Sequence, residues 1–181
     1  KSVTIPPHLT RLGINAFRGN RIENVSLPDT LTNIPDGLFS YNKITTLILP
    51  DSIQTIGKQA FTANQIFNLE LPDSVTRIGE YAFSSNKIKS LKLSNNLTTI
   101  EEGVFSQNMI SELHLPPSVE HLGEACFQYN KIQELHLPET ITEVSKFAFH
   151  DNLINTLTVA NKKTRLGNYA FQRNLLDRVT I

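Results

Sequence analysis

Apolar residues return along this chain at an interval that belongs to neither a single helix nor a single strand. Phenylalanine stands at 17, 39, 61, 83, 105, 127, 149 and 171, always 22 residues apart, and asparagine follows three places after each, from Asn20 to Asn174. With Val3 as the first position, one array over 1–181 divides into repeats starting at 3, 25, 47, 69, 91, 113, 135 and 157, with a stub at 179–181. A fixed period without insertions marks a solenoid, whose units bury their apolar faces against one another.

Two local periods lie inside the repeat, as in "LELPDSVTRIGEYAFSSNKIKS" at 69–90. Ile88-x-x-Leu91-x-Leu93 ends in strand alternation, Leu91 and Leu93 facing one way and Lys92 the other. Proline follows at 6, 28, 50, 72, 116 and 138, and its missing N–H marks where strand pairing stops. The spacing Ile78-x-x-x-Ala82-Phe83 is closer to helical, and Asp36, Glu80, Glu102 and Glu124 precede such segments as carboxylates precede a helix. The expected fold is an α/β solenoid of eight 22-residue coils. It is a right-handed superhelix with one parallel sheet on the concave face and short helical or 3-10 turns opposite.

Gly13, Gly57, Gly79, Gly123 and Gly167 share a column with Pro35, Glu101 and Ser145, so that position requires no left-handed backbone. Tight packing or a helix start explains it better. The asparagine column is expected to satisfy backbone groups at the turn or to cap the short helix.

Composition narrows the function. Seventeen basic residues balance seventeen acidic ones, so nothing points to nucleic acid or an anionic membrane, and no apolar run predicts a membrane span. The charge is uneven, because residues 93–145 hold eight acidic residues against one basic. The lone Cys126 excludes an internal disulfide and a multi-thiolate zinc site, and it falls in the small-residue column of Ala60, Ala82 and Ala148. The chain opens on Lys1 without a leader and stops in mid-strand, so the expectation is a piece of a longer protein, or end-to-end self-association.

The segments "LPDSIQTIGKQAF" (49–61) and "LPDSVTRIGEYAF" (71–83) closely resemble LPxxLxxIGxxAF, the hallmark of the BspA-like, or treponemal-type, leucine-rich repeats of bacterial surface proteins. The broader consensus L-x-x-L-x-L is present as Ile-x-x-Leu-x-Leu in 88–93 and 110–115. The repeat is one residue shorter than the commoner family unit and has asparagine where that unit has cysteine. The resemblance implies extracellular or bacterial cell-surface display, protein binding, often adhesion, and no catalytic residues or cofactor.

The strand alternation turns one column outward: Thr4, Ser26, Ile48, Glu70, Lys92, His114, His136, Thr158 and Thr180. Two places earlier lies a second column that includes Glu112 and Glu134. Such irregular columns suit a protein partner better than a lattice. Ile48 and Phe67 are candidate apolar anchors, and Glu70 with Lys92 is an exposed pair on neighbouring strands.

The repeated ELHLP brings Glu112 beside Glu134 and His114 beside His136 at a strand spacing of ~4.8 Å. Two imidazoles so placed could share a metal ion with carboxylate help. The groups that usually orient metal-bound imidazoles are lacking, so the expectation is a partner-contact patch without a metal. Phe147 and Tyr169 are expected to stack on the outer side for structural reasons. No Ser-His-Asp set, phosphate-cradling glycine loop or paired catalytic carboxylates can be assembled. The favoured reading is a non-catalytic interaction or adhesion module, with a structural spacer as the alternative. An enzyme on a parallel β-helix is opposed by the helical or turn-like Gly-x-x-Ala-Phe segment.

Overall fold

The computed structural model describes residues 1–181. Strands occur at Ser2–Thr4, Asn24–Ser26, Asn68–Glu70, Ser90–Lys92, Glu134–Leu137, Thr156–Val159 and Arg178–Thr180, and bridges at Thr46 and Glu112 continue the column. They pair in parallel with their equivalents one coil on, as Leu135 with Leu157 and Leu157 with Val179, except between Ser90–Lys92 and the coil of Glu112, where the ladder is interrupted. The strands begin one residue earlier than the Leu91-x-Leu93 alternation predicts, at Ser90 in that coil. Their alternation holds, with Leu69 buried between exposed Asn68 and Glu70.

The single expected sheet is a correction, because the solenoid has a second strand column. Two-residue strands at Asn33–Ile34, Thr55–Ile56 and Arg77–Ile78, and again at Thr99–Ile100, His121–Leu122, Glu143–Val144 and Arg165–Leu166, pair in parallel as two successive runs down another side. Arg77 points out and Ile78 in, a two-residue alternation too short to stand out from the apolar spacing around it.

The expected helical turns are also corrected, since the chain contains strands and turns only. In the coil of Phe83, Ala82 N–H donates to Gly79 C=O at 3.2 Å and Ser84 N–H to Tyr81 C=O at 3.1 Å, closing two successive β-turns. The amides between them reach the next coil instead. Tyr81 donates to Glu102 C=O at 2.8 Å, Phe83 to Val104 C=O at 3.0 Å and Ser85 to Ser106 C=O at 3.0 Å. With its amides committed this way, the segment has none left for a helical ladder.

Two residues per turn are left-handed, Tyr81 and Ser85 here with φ of 57°, and their equivalents repeat down the array from Asn15 and Gly19 to Tyr169 and Arg173. The acidic residues before the turn therefore cap no helix. Asp36 instead accepts the Lys58 N–H of the next coil at 2.8 Å.

The glycine column packs tightly, as expected. A Cβ at Gly79 would lie 2.5 Å from the Lys58 nitrogen of the preceding coil. Inside, the eight phenylalanines form one stack, with centroids 5.3 to 5.9 Å apart and planes within 17°. The six interior rings are fully buried, while Phe17 and Phe171 in the end coils are only half-buried. Ile14, Leu175 and Val179 are exposed on those coils.

Asparagine joins one coil to the next. Asn86 Nδ2 donates to Phe83 C=O at 3.1 Å and to Phe61 C=O of the preceding coil at 2.9 Å, and its Oδ1 accepts the Ile66 N–H at 3.1 Å. This satisfies the turn, the first of the two roles expected for that column.

Candidate functional site

The longer strand column carries the candidate residues, because its alternation fixes leucines inward and leaves every second side chain free. Ile48 is 76% exposed despite its aliphatic side chain. With Glu70 and Lys92 it lines an open depression of about 530 Å³ floored by Leu47, Leu49 and Leu69. Further along the same column, Glu112, His114, Glu134 and His136 line a second depression of about 590 Å³ over Leu113 and Leu135.

The two depressions differ in charge. In the first, Lys92 Nζ donates to the Glu70 carboxylate, and this bond with the carboxylate's charge raises the lysine pKa. Both groups are exposed, so the pair contributes little to stability. In the second, Glu112 and Glu134 are bridged in register on adjacent strands. The chain's ion pairs lie elsewhere: Lys1–Glu23, Lys58–Glu80, Lys92–Glu70, Lys146–Glu124, Arg165–Glu143 and Arg173–Asp151. No three His, Cys, Asp or Glu side chains converge as a metal site.

Phe67 does not join Ile48. It is 40% exposed and lies outside both depressions, with Lys87 Nζ 5.8 Å from its ring centroid. Sequence reasoning also passed over Thr156 and Thr158 as lining residues of the second depression, although their columns were legible.

On the turn side, Phe147 and Tyr169 stack at 5.3 Å as expected. His150 was not foreseen there. It is buried against the edges of Phe147 and Tyr129, with Nδ1 2.5 Å from Asp151 Oδ2 and Nε2 3.0 Å from Gln172 Oε1. It occupies a column of Ser40, Ser84 and Ser106, and nothing in the repeat marks it. The Tyr81 phenol donates to the Glu102 carboxylate, and that bond, partial burial and nearby acidic charges push its pKa up to about 12. Cys126 is buried in the core, and burial pushes its thiol up.

Comparison with known proteins agrees with this architecture. The sequence pattern of the BspA type leucine rich repeat region matches residues 1–108 and 63–177, in six copies. Among solved structures, a leucine-rich repeat protein from Bacteroides ovatus is similar with a TM-score of 0.73 at 20% identity, over 99% of this chain and 60% of its own. The pneumococcal vaccine antigen PcpA is similar with a TM-score of 0.72 at 19% identity, over 100% of this chain and 60% of its own. YopM from Yersinia enterocolitica gives 0.68 at 25% identity, over 98% and 36%. These likenesses are of fold, and the chain spans about 60% of the length of the first two. No curated relative matches the sequence.

Proposed function

The chain belongs to the BspA-type leucine-rich repeat family, and from that premise we propose that it is a non-catalytic interaction or adhesion module of a bacterial cell-surface or secreted protein. It binds a macromolecular partner, a protein, through the longer strand column, which on this reading is the concave face of a right-handed superhelix. One observation carries the reading: the inward positions repeat coil after coil, while the outward ones vary and line two neighbouring depressions. A spacer needs the first property and has no use for the second. Solenoids elsewhere bind along such extended faces.

The partner-contact residues are Ile48, Glu70, Lys92, Glu112, His114, Glu134 and His136, with Phe67 at the margin. The test is binding of the chain to a panel of purified host-surface and matrix proteins. The parent is compared with a strand-face variant, Ile48→Ser/His114→Ala/His136→Ala, and a turn-face variant, Tyr41→Ser/Tyr129→Ser. Loss confined to the strand-face variant is expected. Loss confined to the turn-face variant would move the binding surface to the other side of the solenoid. No binding to any panel member would favour the spacer.

A further inference from the structure

We propose that Glu112 and Glu134 together seat a basic side chain, arginine or lysine, of an extended protein partner whose apolar side chain covers Ile48; this rests on the strand face being the binding face. The two carboxylates stand opposite each other on adjacent strands, bridged in register, and like charges so placed destabilise a sheet. No lysine or arginine of the chain pairs with either carboxylate. Lys92, the nearest basic residue on one side of the face, is committed to Glu70. Arg178, in the same column as the two glutamates, is two coils beyond Glu134, roughly 10 Å away.

The cation therefore comes from outside. A guanidinium offers several coplanar donors and bridges two carboxylates in a way that water does not. The depression itself favours its approach, since its lining holds these two carboxylates and no lysine or arginine, and charge of one sign lining a depression raises the local concentration of the opposite sign.

The apolar end of the same face fixes the partner's reach. Ile48 is 76% exposed above its own depression. Along the solenoid axis it is three and a half coils from the midpoint of the glutamate pair, about 17 Å at the ordinary strand spacing. An extended segment covers that distance in roughly five residues. The partner motif is thus an apolar and a basic side chain about five residues apart.

Linear peptides selected from a random displayed library against the intact chain test this. Enriched peptides are expected to carry Arg or Lys about five residues from an apolar residue. They are also expected to bind about tenfold more weakly to Glu112→Gln/Glu134→Gln, which keeps the side-chain shape and removes the charge. Enrichment of peptides without a basic residue, failure to enrich any peptide, or full binding to the double glutamine variant overturns the proposal. If binding is then still lost in Ile48→Ser, the strand face stands and only the glutamate seat falls. If neither variant matters, the strand-face reading falls with it. Calorimetric zinc uptake at micromolar concentration, abolished by His114→Ala/His136→Ala, also overturns the proposal by assigning the patch to a metal ion.

Discussion

The ring of Tyr81 lies over Gly103 of the next coil, so close that a Cβ added at Gly103 would fall 2.2 Å from Cε1 of the tyrosine. Gly103 is also left-handed, with φ of 61°. Gly37 stands in the same column under the Asn15 side chain, 2.0 Å from its Oδ1 by the same construction. In this column glycine answers both a backbone and a packing demand.

Gly103→Ala should therefore destabilise by about 1–3 kcal/mol, combining left-handed strain with overpacking. Tyr81→Ala in the same chain should recover the packing share and leave the backbone share. A double-mutant cycle by urea denaturation measures the coupling. Additive effects would mean that the ring and the glycine do not interact.

The phenylalanine stack predicts a graded response. Phe83 is fully buried with a ring on either side, at 5.4 and 5.9 Å, so Phe83→Ala should cost about 3–5 kcal/mol. Phe17 is half-buried and stacks on one side only. Phe17→Ala should be milder, and equal losses in the two variants would contradict the role of the stack.

Tyr81 gives a pH signature. Its folded-state pKa of about 12 lies above the ordinary tyrosine value near 10, so folding favours the neutral phenol. The stability from the bond to Glu102 is fully present below about pH 10 and is lost as pH rises through the folded value. Ultraviolet titration of the phenols should show a late component near pH 12 that vanishes in Tyr81→Phe and moves down in Glu102→Gln.

Cys126 should be silent toward a thiol reagent at pH 8 in the folded chain, because it is buried and its thiolate is disfavoured. It should react at once in denaturant. Fast modification of the native chain would mean that the core opens at that coil.

Most of the architecture was legible because the inward positions repeat with a single exception, Lys163. Phe17 to Phe171 and Asn20 to Asn174 set the period, and the asparagine ladder followed from the chemistry of its side chain. The turn was misread for a physical reason. Its left-handed positions are held by residues such as Gln59, Tyr81, Ser85 and Phe147, which carry no left-handed preference. Only the inter-coil hydrogen bonds keep them there, and those bonds are not visible within one repeat. The outward columns were legible from strand alternation. The separation of Phe67 from Ile48 was not, because it depends on where a single side chain settles at the sheet margin.

The stacked phenylalanines also bear on how such a chain can change over evolutionary time. Each interior ring has like neighbours on both sides, so excising 22 residues from the middle of the array brings two equivalent rings together and leaves the interior without a scar. A duplication inserts a coil just as smoothly. Unequal recombination can thus lengthen or shorten the array freely, while every such event between Ile48 and Glu112 slides one relative to the other along the axis. The interior tolerates a change of length, and the outward pattern records it as a change in what the molecule can grip.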